Sequence, residues 1–331
     1  MHIEFTPPYR KRHINRNRIS YASTRKYRCF FSFDIVNWIG FGILAGVVLG
    51  LYDYWTKKAM TGNMVITIVF WSSLFGALAW LVAFLPITEG TKFHILLSDT
   101  SINDQIIILL KGIMMTGSWL LAYYSVRELP MSFSGAMRAS GPLWTMIGGA
   151  IVFQEFLTIF QLSIISITIA AYFFLSQLGQ AEGIRIMRSG PVLMMLLATI
   201  LSAMTTVYDK FIIHELGISS VTVQAWSAIH RLLLSGLLLV WAGHNNPEIY
   251  NPKWSFWIPL VGLSWVAAEW IYFLAINDPN SNVTYLSVFR RISLVIGFLL
   301  SAILIGEKNV KQKFFVVGIL FLSTVALALL A

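Results

Sequence analysis

Apolar segments of membrane-spanning length recur along the whole chain, and they constrain the fold more than any other feature. Each is close to the roughly 20 residues that a helix needs to cross the hydrocarbon core. Because lipid offers the backbone no hydrogen-bond partners, we expect every segment to be helical. The sequence therefore predicts an all-α integral membrane protein with ten transmembrane helices. The segments lie at about 36–56, 65–86, 105–125, 131–153, 157–177, 191–213, 221–242, 254–276, 283–305 and 313–331.

The composition agrees with a membrane protein and disfavours a metalloenzyme. The 331 residues are 57% hydrophobic and 12% charged, whereas about a quarter of the residues in a soluble domain are charged. The single cysteine, Cys29, excludes an intramolecular disulfide and a cysteine-cluster metal site. The apolar segments lack HExxH-type spacing of histidines and carboxylates. We therefore predict no metal, no cofactor and no enzymatic activity. A membrane enzyme or lipid-modifying protein, and a receptor or scaffold, are the competing classes.

Positive charge is concentrated at the N-terminus. Residues 1–30 hold eight Lys and Arg residues against one acid, Glu4. This stretch has neither an apolar core nor a small-residue cleavage site, so it does not resemble a secretory signal peptide. We predict that residues 1–33 form a disordered cytoplasmic tail on anionic headgroups of the membrane lipids. A nucleic-acid-binding arm and an organelle presequence are less favoured, and we predict no nucleic-acid partner.

The charges give conflicting signals about orientation. The positive-inside rule applied to the tail places the N-terminus in the cytoplasm, and ten spans would return the C-terminus there. With that orientation nine loop Lys and Arg residues lie outside. Inside lie only Lys92 and Lys210, with Lys111 at a membrane edge. We keep both termini cytoplasmic, in a bacterial inner (plasma) membrane, because the tail is dense and flanks the first segment.

The chain reads as two copies of one five-segment unit. Tyr52-Asp53 closes the first segment, and Tyr208-Asp209 closes the sixth, 156 positions later. A shift of 150 aligns residues 111–126 with 261–276, and the offsets differ only by loop length. Since five is odd, the second copy must enter the bilayer upside down, as in the inverted repeats of many secondary transporters. We predict a first repeat at 34–178 and a second at 190–331.

The repeat also aligns charged residues late in each copy. A shift of 152 places Arg138 on Arg290 and Glu155 on Glu307. Each glutamate directly follows the fourth segment of its copy, in "FQE" and "IGE".

With these glutamates and with ten segments in two halves, the chain resembles the drug/metabolite transporter superfamily, EamA type, over residues 36–331. One departure is that Glu155 follows Gln154 rather than the glycine usual in that motif. The resemblance implies secondary transport, often export, of small metabolites. The cavity would be built mainly from segments 3, 4, 8 and 9 and their neighbours.

Charged side chains inside the apolar segments are the candidate functional residues, since a charge near the bilayer centre costs about 2.5–3.5 kcal/mol. Glu269 lies past the middle of the eighth segment. It could form a salt bridge with Arg231 or Arg290. Alternatively, it could face a wet cavity, where it pairs with a substrate amine or carries a proton. Arg290 and Arg291 are about 100° apart on a helix, so we expect Arg290 to face the cavity, as Arg138 would in the first repeat. A guanidinium there suits bidentate capture of a carboxylate or phosphate.

The other candidates divide into substrate contacts and structural contacts. The predicted substrate contacts, besides Arg290, Arg138 and Glu269, are Trp119, Tyr123, Arg231 and His230. Trp119 aligns with Glu269 and would line the cavity with Tyr123, whereas packing is the alternative for His230. The predicted gate or structural contacts are Tyr52, Asp53, Tyr208, Asp209, Glu155 and Glu307, with Lys57 and Lys210 as neighbours of the two aspartates.

These residues predict a secondary transporter, an exporter, of a small polar or amphiphilic metabolite with an anionic group. An amino acid or organic acid would satisfy the arginines, Glu269 and the aromatic residues. A nucleotide-sugar or phosphorylated metabolite is the alternative, because it needs the arginines but not Glu269. We expect alternating access of a midplane site. Proton coupling, and the choice between monomer and homodimer, are left open.

Overall fold

The computed structural model describes residues 38–81, 100–129, 138, 140–180 and 190–305, with a few single residues between 315 and 326. The predicted basic tail and Glu307 lie outside the described residues. So do most of the predicted tenth segment and, apart from Arg138, the first part of the fourth.

The described part of the chain is helical, which confirms the all-α prediction for these residues. A π-helical turn, Phe211–Glu215, extends the sixth helix, and a 3₁₀ turn, Pro247–Tyr250, follows the seventh. The ninth predicted segment is interrupted at Arg291 and forms two helices. The helices are α1 Trp38–Ala59, α2 Val65–Leu81, α3 Ile102–Glu128, α4 Gly141–Phe153, α5 Ile159–Gln180, α6 Gly190–Lys210, α7 Ser220–Asn245, α8 Trp257–Ile276, α9 Val283–Arg290 and α10 Ile292–Ile305.

Five of these helices are long and apolar enough to cross a membrane: α1, α3, α6 with its π turn, α7 and α8. Shorter apolar helices lie at Val65–Leu81, Gly141–Phe153 and Ile159–Ala171. Large apolar side chains such as Leu237 and Trp241 of α7 are exposed, which suits a surface solvated by lipid chains. The chain is therefore an integral membrane protein.

Contacts near the helix ends establish the helix directions. Lys57, near the end of α1, donates to the carbonyl of Leu129, just after α3, at 3.3 Å. The hydroxyl of Tyr208, near the end of α6, donates to the carbonyl of Ile107, near the start of α3, at 3.1 Å. Thus α1 and α3 are parallel, and α6 is antiparallel to both. We call the end where α1 begins the N-terminal end of the bundle, and the end where α1 finishes the opposite end.

Glycines bring α1 against the interrupted α9–α10 segment. A Cβ atom on Gly46 would lie 2.4 Å from the carbonyl oxygen of Phe289, and one on Gly50 would lie 2.5 Å from the Cβ atom of Ile296. Such close backbone approach is typical of helix contacts in membranes. The α9–α10 segment is also parallel to α1, because Trp38 stacks on Tyr285 with ring centroids 6.2 Å apart. This packing positions Arg290 and Arg291 in the middle of the bundle.

Candidate functional site

A cavity lies between α1, α3, α6, α8 and the α9–α10 segment, and Arg138 also lines it. Along α1 its lining runs from Leu49 to Thr56, and along α3 from Met115 to Val126. It therefore extends from the middle of the bundle toward the opposite end. The N-terminal end is filled instead by an apolar cluster that includes Trp38, Ile108, Ile212, Phe273, Tyr285 and Phe289.

Asp53 and Arg138 form an ion pair on the cavity wall. Arg138 Nη1 donates to Asp53 Oδ1 at 2.8 Å, and both residues line the cavity. Lys57, the neighbour expected for Asp53, donates instead to the carbonyl oxygens of Val126 and Leu129. Arg138, which we predicted as a substrate contact, thus has its charge balanced by Asp53.

A lysine that the sequence analysis placed at a membrane edge is buried behind the cavity. Lys111 is 0% exposed, and its Nζ lies 2.9 Å from Asp209 Oδ1 and 3.1 Å from Glu269 Oε1. It also lies over the ring of Phe273, 4.4 Å from the centroid. The expectation was wrong because α3 begins at Ile102, which places Lys111 more than two turns inside the helix. Lys111 therefore ties α3 to α6 and α8.

Glu269 lines the cavity, but both its oxygens are engaged. Oε1 faces Lys111, and Oε2 accepts from Trp265 Nε1 at 2.9 Å. Arg231 Nη2 lies 3.7 Å from the same Oε2. The geometry thus matches the salt-bridge alternative, with Arg231 rather than Arg290 as one partner. A substrate amine would have to displace these contacts.

Arg231 and His230, which we predicted as substrate contacts, lie outside the cavity lining. Arg231 is 2% exposed, and its guanidinium lies 4.7 Å from the ring centroid of Trp119. His230 lies beside Trp226, and a Cβ atom on Gly112 of α3 would come within 3.1 Å of its Cβ. Close packing of α7 on α3 thus buries Arg231 behind the aromatic residues and keeps His230 at the helix contact.

Aromatic side chains form one wall of the cavity. Trp119 and Tyr123 stack with centroids 5.9 Å apart and an interplanar angle of 10°. The hydroxyl groups of Tyr52 and Tyr123 are hydrogen-bonded at 2.6 Å. Trp265 packs edge-on against Trp119, with centroids 4.8 Å apart. We call Tyr52, Trp119, Tyr123 and Trp265 the aromatic wall; all four line the cavity.

Arg290 lines the cavity without a carboxylate partner in the described part of the chain. Its guanidinium lies over the ring of Tyr272, 4.5 Å from the centroid, and its Nη1 is 3.4 Å from Thr206 Oγ1. Among the described residues, no carboxylate oxygen lies within 4.0 Å of its side-chain nitrogens. Arg291 also lines the cavity, and its Nη2 would lie 2.2 Å from a Cβ atom on Gly141. Arg290 is therefore the cation best placed to receive an anion.

Another ion pair lies at the N-terminal end. Lys210, at the end of α6, pairs with Glu155, just after α4. Glu155 Oε2 also accepts from the backbone N–H of Val283 at the start of α9, at 3.4 Å. Lys210 is buried, so counting it as a loop charge was wrong. Glu155 and Lys210 together join three helices at the end that the apolar cluster fills.

Within the residues that the structure describes, no three His, Cys, Asp or Glu side chains come together where they could hold a metal ion. The site is instead built from ion pairs, an aromatic wall and the guanidinium of Arg290, which has no carboxylate partner among the described residues. Both the guanidinium of Arg290 and the aromatic wall face the cavity.

Comparison with protein families identifies the first part of the chain. Residues 36–177 match the sequence model of the EamA-like transporter family. These residues belong to the EamA-like transporter family. The predicted membership of the drug/metabolite transporter superfamily is thereby confirmed. EamA-like proteins are membrane transporters rather than enzymes, so the match indicates a membrane transporter with a small-molecule substrate.

A solved structure shares the fold over nearly the whole chain. It is described only as the crystal structure of a protein, and it matches 88% of this chain and 96% of its own, with a TM-score of 0.62 and 16% sequence identity. At this identity the likeness concerns the fold alone. No curated protein matches the chain in a sequence search.

Proposed function

We propose that this EamA-like protein is a secondary transporter of a small organic anion with an apolar body, such as an organic acid or amino acid. The family match supports transport as such. The proposed substrate class rests on one observation, the guanidinium of Arg290 in the cavity without a carboxylate partner among the described residues.

A cation without a carboxylate partner inside a membrane protein is costly, which supports a ligand that balances its charge. Arg290 is half-buried, with Tyr272 on one face and the hydroxyl of Thr206 at its edge. A guanidinium in such surroundings can hold a carboxylate through two parallel hydrogen bonds. In contrast to Arg290, three described cations in or behind the cavity wall have ion-pair partners: Arg138, Lys111 and Arg231. We therefore assign the substrate anion to Arg290.

The aromatic wall supports an apolar or aromatic substrate body. Trp119 and Tyr123 present stacked rings, and Trp265 closes the wall from α8. Aromatic rings bind other rings in offset or edge-on arrangements. The substrate would thus place its anion at Arg290 and its body against this wall.

Alternating access is supported by the contrast between the two ends. The cavity extends toward the opposite end, whereas the apolar cluster and the Glu155–Lys210 pair close the N-terminal end. In addition, α1 and α6 run in opposite directions, as two inverted five-helix repeats would require. We propose that the halves rock about the cavity, with cytoplasmic termini and export as the net direction. Proton coupling belongs to the same proposal, because Asp53, Asp209 and Glu269 all line the cavity.

A phosphorylated metabolite is the second candidate, because Arg291 lines the cavity next to Arg290. Two adjacent guanidiniums suit a dianionic phosphate better than a single carboxylate.

A stabilisation screen on the purified protein tests the substrate class. Monocarboxylates, phosphate monoesters and matched neutral amides are added, because a ligand that binds the native state raises its apparent stability. We expect aromatic or apolar monocarboxylates to raise the melting temperature of the wild type but not of Arg290→Ala. The control is Arg127→Ala, an exposed arginine at the end of α3. Stabilisation by phosphate monoesters alone would select the second candidate. If no anion stabilises the wild type, or if Arg290→Ala responds equally, the proposal is wrong.

A further inference from the structure

The ion pair in the first half of the chain has no counterpart in the second half. Asp53 and Arg138 are paired at 2.8 Å, and the repeat aligns them with Asp209 and Arg290. Asp209 pairs instead with Lys111, while Arg290 lies over Tyr272. The aligned residues therefore have different partners in the two halves of the chain.

Asp209 lies close to the position of Arg290. Arg290 Nη1 contacts the hydroxyl of Thr206, three residues before Asp209 on α6. Residues at this spacing lie on the same helix face, one turn apart. Asp209 and Arg290 also line the same cavity. Asp209 is thus the carboxylate of α6 that would pair with Arg290 if it were released.

Lys111 is the described residue that forms an ion pair with Asp209. The repeat aligns it with Val261, so the second half contributes no equivalent lysine. Its ammonium is fully buried between Asp209, Glu269 and the ring of Phe273. The ammonium group cannot reach water without breaking these contacts. Breaking them would leave a buried carboxylate without its partner, which strongly destabilises the protein.

We propose that Lys111 is a positioning residue for the anion site, because by holding Asp209 it keeps the guanidinium of Arg290 available to the substrate anion. This inference rests on the proposed function, in which Arg290 receives the anion. Lys111 itself does not touch the substrate. Its effect is exerted through Asp209, and removing Asp209 makes it unnecessary.

The test measures the availability of Arg290 without a substrate. The full-length protein, purified in detergent, is treated with the arginine reagent p-hydroxyphenylglyoxal, and modification of Arg290 is followed by peptide mass spectrometry. In Lys111→Met, Asp209 pairs with Arg290, and we expect the modification rate to fall at least about fivefold, since a charge-paired guanidinium is held in strong hydrogen bonds. In Lys111→Met/Asp209→Asn the rate returns to that of the wild type. Arg127 serves as the internal control, because it is on the exposed surface in all variants.

If Lys111→Met does not fold, Asp209→Asn alone is measured instead. This variant keeps the ion pair between Lys111 and Glu269. The inference predicts the wild-type modification rate for Arg290 in this variant. A rise of several-fold would mean that Asp209 already shields Arg290, and an unchanged rate in folded Lys111→Met would mean that Lys111 positions nothing. Either result overturns the inference. Because the assay contains no substrate, its outcome does not depend on the stabilisation screen. The screen tests the proposed function, and the modification assay tests the role of Lys111.

Discussion

Lys111 and Glu269 are 158 positions apart in the sequence, yet Lys111 Nζ donates to Glu269 Oε1 at 3.1 Å inside the membrane. Asp209 and Arg231 complete a cluster of two acids and two bases drawn from four helices. The charges within this cluster balance. The cluster therefore ties α3, α6, α7 and α8 together.

Removing Glu269 should destabilise the protein more than it alters the choice of substrate. Glu269→Gln leaves Arg231 without its acidic partner, and breaking a buried pair in this way costs about 3–5 kcal/mol. Thermal unfolding in detergent measures the loss. Glu128→Gln, on the exposed end of α3, is the control and should change little. An unchanged melting temperature with lost transport would assign Glu269 to the substrate instead.

The aromatic wall should make the protein bind carboxylates with an aromatic body more tightly than small carboxylates. Trp119→Ala removes the ring that stacks on Tyr123 and contacts Arg231, whereas Trp119→Phe keeps a ring there. We expect the alanine variant to lose about two- to twelvefold in apparent affinity for aromatic monocarboxylates, since such ring pairs contribute about 0.5–1.5 kcal/mol beyond burial. Competition assays compare these with small carboxylates such as acetate. Trp241→Ala, on the exposed surface of α7, is the control. An equal loss for acetate would contradict the assignment.

Glu155 and Lys210 should act as one unit at the N-terminal end. Glu155→Gln and Lys210→Met each remove the ion pair between α4 and α6. Their combined effect on unfolding free energy should differ from the sum by about 0.5–3 kcal/mol, as for residues in direct contact. A double-mutant cycle with denaturant unfolding checks this. Strict additivity would mean that the pair does not contribute to closing this end.

The contact of α1 with α10 should not tolerate a methyl group. In Gly50→Ala the new Cβ atom would lie 2.5 Å from the Cβ of Ile296, and overpacking of this kind costs about 1–3 kcal/mol. Gly190→Ala is the matched control, because nothing lies within 4 Å of its Cβ position. Melting temperatures of the two variants should separate clearly. Equal stability would show that α1 moves freely against α10.

The sequence predicted that the described residues are helical, because lipid offers the backbone of an apolar spanning segment no hydrogen-bond partners. We expected Arg290 alone of the two consecutive arginines to face the cavity, but Arg291 lines it as well. The sequence did not predict the interruption at Arg291, which neither proline nor glycine marks in the sequence.

The partners of the buried charges could not be read from the sequence, because they depend on helix depth and rotation. Lys111 and Lys210 looked like lysines at segment ends, yet both are buried in ion pairs. His230 and Arg231 are consecutive, so their side chains point about 100° apart around the helix. His230 makes a packing contact, whereas Arg231 forms an ion pair. A shift of 152 aligns Arg138 with Arg290 in the sequence, yet Arg138 pairs with Asp53 whereas Arg290 lies over Tyr272.

The central claim is that the protein transports an organic anion that binds to Arg290. Counterflow in proteoliposomes tests this claim most directly. Vesicles preloaded with an unlabelled aromatic monocarboxylate are given the labelled compound, with and without a pH gradient. We predict saturable uptake by the wild type and by Arg127→Ala, and a loss of at least about tenfold in Arg290→Ala, consistent with the loss of a bidentate charged contact. Uptake by Arg290→Ala at the wild-type rate would contradict the account.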